Sequence, residues 1–256
     1  MQVLGVDVGG SGIKGALVDV SSGQMVTDRC RLPTPQPARP DVVVKTIKKI
    51  RKYFNYRGPV GVGFPAVVLD GVVLSAANVD DAWIGYPGQG VLTDALGGPV
   101  TLLNDADAAG FAEMMFGAGR ERKGLVMILT LGTGIGSALF MDGHLVPNCE
   151  LGHLYLPGHA ADAEEYASDR IRSAEDLGWK GWARRLNIYL RHLEGLFSPN
   201  LFILGGGVSK KAAKFLPHLT LRTEVVPALL RNEAGIIGAA MAAVDAGKSP
   251  DGRQEA

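Results

Sequence analysis

The opening of the chain alternates apolar and polar positions with the two-residue period of a half-buried strand, and glycine interrupts the alternation. Val3 to Val8, Ile13 to Val20 and Met25 to Leu32 read as strands, joined by a Gly9-Gly10-Ser11-Gly12 turn and a Ser21-Ser22-Gly23 turn. This is an antiparallel meander, not a strand–helix–strand unit. After the breaker PTPQPARP, Asp41 to Tyr53 carries Val43, Val44, Ile47, Ile50 and then Phe54 among lysines, a spacing that predicts an amphipathic helix. A strand at Val60 to Phe64, a hairpin around Asp70 and Gly71, an irregular stretch ending near Gly90 and a strand at Val100 to Leu103 follow; a helix over Asp105 to Gly119 begins at once.

From Leu125 the pattern restarts, again as strand, glycine turn, strand, Asp-Gly turn, strand. At one constant offset Gly10, Gly12, Ile13, Ala16 and Leu17 match Gly132, Gly134, Ile135, Ala138 and Leu139, and Ser11 matches Thr133. Chance likeness of two glycine hairpins explains such a match, and so does a duplicated fold; the shared strand order after each turn favours duplication. A polar stretch from Ala160 to Asp176 precedes a helix at Trp179 to Phe197. Next come a strand at Leu201 to Leu204, a Gly205-Gly206-Gly207 turn and a final helix from Ala234, with a tail after Gly247 that is expected to fray.

Composition narrows the class. In 256 residues, 46% hydrophobic and 20% charged with 35 glycines, the chain has the make-up of a globular α/β protein and not of a disordered or collagen-like one. Lys plus Arg equals Asp plus Glu at 26 each, so no global field draws it to nucleic acid or to an anionic membrane. The two cysteines, Cys30 and Cys149, have no metal-ligand or CxxC spacing, which fits a reducing cytoplasm. No signal peptide is expected, since Asp7 breaks the first apolar run, and Ala234 to Val244 is too short to span a membrane.

The glycine turns carry the candidate chemistry. Gly10-Ser11-Gly12-Ile13-Lys14-Gly15 matches G-x-G-x-x-G after a strand, but a strand follows it where a dinucleotide site needs a helix, and Gly15 stands where a Walker loop needs Ser or Thr. A tight turn requiring positive φ accounts for either hairpin alone. Two hairpins in duplicated halves also suit a phosphate chain, held by the backbone of Gly10-Ser11-Gly12 and Gly132-Thr133-Gly134. Phosphoryl transfer then needs charge neutralisation, usually by Mg²⁺, and a carboxylate to take the attacking hydroxyl's proton. Asn104-Asp105, where a strand ends and a helix begins, suits that carboxylate and equally suits a helix cap. Glu150 and His153 suit sugar hydroxyls, or a plain surface; Glu164 and Glu165 read as solvent-facing by composition.

Taken together, GVDVGGSGIKGALVD, GFPAVV, AANVDDAW, LNDADAAG, LTLGTGIGSALF, ELGH, ILGGGVS and AGIIGAAMAA resemble the ROK (repressor, open reading frame, kinase) family of sugar kinases, over Val3 to about Val244. The resemblance implies an α/β, actin-like ATPase (ribonuclease H-like) duplicated fold of two domains with an interdomain cleft. The domains are expected at 1–103 and 104–256, with the last helix, 234–246, packing back on the first. Within the family the opening, NDADAAG and PNCELGHL look most like the branch that phosphorylates glucose, and in some members mannose, from inorganic polyphosphate or ATP with Mg²⁺. It implies Asp105 as the base for the sugar 6-hydroxyl, Asn104 as a ring contact, and Asn78, Glu150, His153 and Glu164 as sugar ligands. Donor phosphate falls to Gly9, Gly10, Ser11, Gly12, Lys14, Gly132, Thr133, Gly134, Gly205 and Gly206, and Asp7 to Mg²⁺ through water. The family's CxCGxxGCxE zinc motif is replaced here by GHAADAEEYAS, so no structural zinc is expected. A homodimer is the family expectation. The family's repressors carry an N-terminal helix-turn-helix extension, and a chain opening on the strand at Val3 argues against that class.

Overall fold

The structure, a computed structural model, describes residues 1–77 and 79–245; Asn78 and the stretch holding the tail after Gly247 lie outside the described residues. By packing, the described chain falls into two units, one formed by Met1–Ala112 with the segment from Glu233 onward, the other by Glu113–Asn232.

In the first unit β1 (Gln2–Gly9) and β2 (Gly12–Asp19) pair antiparallel from Gln2 opposite Asp19 to Gly9 opposite Gly12, which leaves Gly10 and Ser11 as the whole turn. The third strand of the meander is split into β3 (Gln24–Met25) and β4 (Cys30–Leu32), both paired with β2. The chain bulges between them, where the Thr27 hydroxyl accepts the Leu17 N–H at 3.1 Å. Helix α1 (Pro40–Tyr53) starts on a proline whose missing N–H costs nothing there, and it buries Val43, Ile47 and Ile50 in one core with Leu4, Val6 and Val8. β5 (Val60–Phe64), buried throughout, lies parallel to β1 as a central strand. β6 (Val68–Leu69) and β7 (Val72–Val73) form the hairpin at Asp70 and Gly71, both at positive φ.

Where the stretch read as irregular ends, and in the unassigned gap before the strand at Val100, lies α2 (Gly88–Leu96), which Pro87 precedes and left-handed Gly97 ends. Gly88 and Gly90 hide it from a propensity reading, whereas burial of Leu92 and Leu96 with Trp83 holds it in place. β8 (Val100–Asn104) runs parallel to β5 and completes the order β3-β2-β1-β5-β8, with β4 also on β2. Helix α3 (Asp105–Phe116) follows without a loop.

The second unit repeats that order. β9 (Leu125–Leu131), β10 (Ile135–Met141) and β11 (His144–Val146) form the second meander. The polar stretch contains α4 (Ala163–Ala167), capped by Asp162, and α5 (Asp169–Ala174), capped by Ser168. Helix α6 (Trp179–Phe197) lays Trp182, Leu186, Tyr189, Leu190 and Leu193 into a core with Leu129, Phe202 and Phe215. β12 (Leu201–Gly205) is parallel to β9, and β13 (Glu224–Pro227), too short to show in the sequence pattern, is parallel to β12. The order β11-β10-β9-β12-β13 is that of the first sheet, a hairpin with two parallel strands beside its first member.

Helix α7 (Ala234–Asp245) returns to the first unit and packs on β1, β5 and β8. It is apolar nearly all round because it is buried nearly all round. The expected boundary at 103/104 and the observed division at 112/113 differ by the first turns of α3. Those turns pack on the first unit, Ala108 lying against Gly238 of α7, whereas the buried Glu113 carboxylate accepts the N–H groups of Leu229 and Leu230 in the second unit. Among the described residues no helix is long and apolar enough to cross a membrane.

Candidate active site

Because β1, β5 and β8 are mutually parallel, their carboxyl ends share one edge of the first sheet. The Gly10-Ser11 turn leaves β1 and Asp105 leaves β8 at that edge, two strand spacings or about 10 Å apart. The turn is open on one side, since a Cβ on Gly10 would meet nothing within 4 Å. It is braced on the other by β4 and the chain after it: the Arg31 guanidinium of β4 donates to the Ser11 carbonyl at 3.1 Å, and beyond β4 the Thr34 hydroxyl donates to the Gly9 carbonyl and Gln36 to that of Gly10. Lys14 pairs with Asp7 at 3.1 Å, so the ammonium expected on donor phosphate and the carboxylate expected near Mg²⁺ neutralise each other. Asp7 also lies against Gly235 in the first turn of α7. One carboxylate beside an open glycine turn fits the usual way Mg²⁺ is held, with phosphates of a bound donor completing its shell. Among the described residues no three His, Cys, Asp or Glu side chains gather into a metal cluster.

Asn104 is buried, and its carboxamide is engaged by the backbone. Its Oδ1 accepts the N–H groups of Ala106 (2.8 Å) and Asp107 (3.1 Å), and its Nδ2 donates to the Ala66 carbonyl at 3.2 Å. Asn104 therefore caps α3, which fixes the half-buried Asp105 in the first turn. Asn78 lies outside the described residues.

In the second unit the Gly132-Thr133-Gly134 turn and Gly206 come together. β9 and β12 are parallel, and Gly206, at positive φ, stacks on the Leu131 backbone so closely that a Cβ would sit 2.3 Å from the Leu131 carbonyl oxygen. Glu164 docks on the same turn. Its carboxylate accepts the Ile135 N–H at 2.7 Å and occupies the space a Cβ on Gly134 would need. Gly152 lies against the Ile135 carbonyl, so the short 3-10 turn Leu151–His153 brings Glu150 and His153 beside Glu164. Burial, reinforced by the Glu164 charge and only partly offset by His153, pushes the Glu150 carboxyl above its ordinary range.

The His153 Nδ1 lies 3.0 Å from the Asp162 carboxylate, and that hydrogen bond raises the imidazole above its ordinary value against the effect of burial, with Glu164, Asp162 and Glu150 adding to the rise. Burial alone would raise Asp162, but the bonds from His153 and from the Glu165 N–H outweigh it and hold the carboxyl low. A raised histidine stabilises the fold fully below its unfolded value and loses that contribution as pH climbs through the folded one. A lowered carboxyl contributes above its unfolded value and loses it as pH falls. Their common window is thus about pH 4 to 6.5. Asp162→Asn, which keeps the helix cap, is expected to cost on the order of 0.5 kcal/mol at about pH 5.5 in urea unfolding and close to nothing near pH 9. An equal cost at both pH values would show that the pair contributes no charge interaction.

Three neighbours of these sets escaped the sequence reading. Asp162 was legible as the cap in Asp-x-x-Glu165 before a helix. Arg170 donates to the Thr133 carbonyl at 3.1 Å and pairs with Glu165, and Arg31 stands equivalently on the first turn; neither contact has a local sequence signal. Gly205 ends β12 as a buried residue beside Thr130 and Ala228.

Two sheets of one strand order, each opening on a glycine hairpin, with a carboxylate where the last parallel strand of the first meets its helix, define an actin-like ATPase fold. The chain belongs to the ROK family, whose model matches residues 3–165. It is 52% identical over 241 residues to the polyphosphate glucokinase of Mycobacterium tuberculosis, covering 94% of this chain and 90% of that protein. Among solved structures it is similar to the inorganic polyphosphate/ATP-glucomannokinase of Arthrobacter sp. strain KM, with 49% identity, a TM-score of 0.91 and coverage of 96% and 99% of the two chains. A ROK family glucokinase from Streptomyces griseus, in complex with glucose and AMPPNP, matches at 26% identity and a TM-score of 0.79 over 94% and 98%.

Proposed function

We propose that this chain transfers a phosphoryl group from inorganic polyphosphate, and also from ATP, to the 6-hydroxyl of glucose, with mannose as a second acceptor. The observation that carries the reaction class is the common strand edge shared by the open Gly10-Ser11 turn and Asp105. Substrate and donor follow from the relatives: 52% identity with a polyphosphate glucokinase and 49% with a polyphosphate/ATP-glucomannokinase, each over more than nine-tenths of this chain. Cytoplasmic location and a homodimer belong to the same reading.

In this mechanism Asp105 accepts the proton of the 6-hydroxyl as that oxygen attacks the terminal phosphorus, and the bond from phosphorus to the rest of the donor breaks. Backbone N–H groups of the turns at Gly9–Gly12, Gly132–Gly134 and Gly205–Gly206 hold phosphate oxygens, which glycine permits by letting the chain approach closely. Mg²⁺ carried on the donor, with Asp7 as the nearby carboxylate, would neutralise charge on the phosphates. Glu150, His153 and Glu164 bind ring hydroxyls, Glu164 with its carboxylate already aligned by the Ile135 N–H. Asn104 holds Asp105 in place through the cap of α3.

The test is sugar 6-phosphate formation by the purified protein with Mg²⁺, comparing polyphosphate with ATP and glucose with mannose. Turnover with polyphosphate and glucose is the expected result, with a lower rate on ATP. Turnover on ATP alone would overturn the donor, and none on either would overturn the reaction.

A further inference from the structure

On the first glycine hairpin a positive charge is left over. Asp7, Lys14 and Arg31 stand side by side across three strands, since the pairing of β1 with β2 sets Asp7 opposite Lys14 and that of β2 with β4 sets Lys14 opposite Arg31. Lys14 is used by Asp7 at 3.1 Å. Arg31 has no ion-pair partner among the described residues, and it reaches back over the turn to donate one N–H to the Ser11 carbonyl. Its guanidinium fills the space above Gly12, where a Cβ would come within 2.7 Å of Nε and 2.9 Å of Nη2. Gly12 is thus the residue that lets the arginine lie on the turn. One hydrogen bond engages one of five N–H donors, and the side chain is exposed beside the open flank of Gly10.

The second hairpin supplies the contrast. Arg170 makes the equivalent contact, to the carbonyl of Thr133, which matches Ser11, but it is ion-paired with Glu165. The two turns therefore have the same brace and different net charge. A brace alone needs no uncompensated charge, whereas a terminal phosphate needs a fork of N–H donors that is fixed in place and still electrically unsatisfied.

We infer that Arg31 is a donor-binding residue, which grips the terminal phosphate of polyphosphate or ATP at the Gly10-Ser11-Gly12 turn and supplies there the charge that Lys14, held by Asp7, does not. The inference rests on the phosphotransferase reading above. Arg31→Gln keeps an N–H donor for Ser11 and removes the charge; Arg31→Lys keeps the charge and loses the fork. Arg31→Gln is expected to raise the KM for both polyphosphate and ATP about tenfold or more, to leave the KM for glucose within twofold, and to melt with the wild type. Arg31→Lys is expected to recover part of the loss.

Binding of inorganic tripolyphosphate, followed by calorimetry without sugar, gives a second readout and is expected to weaken by the same factor. Donor KM and tripolyphosphate affinity both unchanged in Arg31→Gln, or donor and glucose KM rising together, would overturn the assignment. A wild type that binds no tripolyphosphate would overturn it as well. A wild type that binds tripolyphosphate through Arg31 but turns over neither donor would refute the kinase reading and leave the anion site standing.

Discussion

Asp105→Ala is expected to lower kcat by about 10²- to 10⁴-fold, the range a positioned general base contributes, while the protein folds and melts as the wild type does. The two halves of that expectation have separate physical grounds. The carboxylate stands half-buried in the first turn of α3, at the strand edge where the Gly10-Ser11 turn leaves β1. The helix does not depend on it, since the cap is the Asn104 side chain, bonded to the N–H groups of Ala106 and Asp107. Asn104→Ala should lower turnover as well, because the cap holds Asp105, and should add a stability loss of about 0.5–2 kcal/mol that Asp105→Ala does not show. Steady-state kinetics and thermal unfolding of the two variants, run side by side, separate the roles. Asp105→Ala retaining near-normal turnover would remove Asp105 from the chemistry.

The second large effect is expected where no chemistry is involved. Three glycines bring the backbones of the first unit into direct contact with α7 or its neighbour. A Cβ on Gly61 would lie 1.7 Å from the Ala239 carbonyl oxygen, one on Gly5 would lie 2.0 Å from that of Ile236, and one on Gly238 would lie 1.6 Å from that of Ala108. The obstacle in each case is main chain, which cannot rotate aside, so strand and helix must separate along their length. Gly61→Ala is expected to cost about 3 kcal/mol or more, the upper end for overpacking, and to lower Tm by roughly 6–12 °C in a chain of this size. Gly90→Ala is the control. It lies inside α2 with open space around it, and alanine there should be neutral or should stabilise by roughly 0.5–1 kcal/mol. A Gly61→Ala protein melting within a degree or two of the wild type would mean that α7 does not pack on β5 as described.

These glycines also mark the limit of what could be read from the chain. The two hairpins, the duplication, α1 and α6 were legible because they are local: a two-residue alternation, a glycine turn or a stripe of apolar residues needs only neighbours a few positions away. Helix α2 was hidden because Pro87, Gly88 and Gly90 spell a loop, and only burial of Leu92 and Leu96 beneath the sheet overrides them. β13 was hidden because four residues carry too little pattern, and β12 supplies its hydrogen-bond partners.

The candidate site divides along the same line. Asp105, the glycine turns, Glu150 and His153 stood out as residues of the right type at the ends of predicted elements. Glu164, which composition reads as solvent-facing, instead docks on Gly134, and the Glu113 carboxylate on α3 accepts the N–H groups of Leu229 and Leu230 more than a hundred positions away. By itself the sequence determined the two meanders and the glycine turns within them, since both arise from short-range backbone preference and side-chain periodicity. Only the tertiary structure decided which charges remain unspent at those turns, with Lys14 held by Asp7, Arg170 by Glu165 and Arg31 by neither. Electrostatic compensation depends on which side chains meet across strand register and long loops, and a linear pattern does not record that.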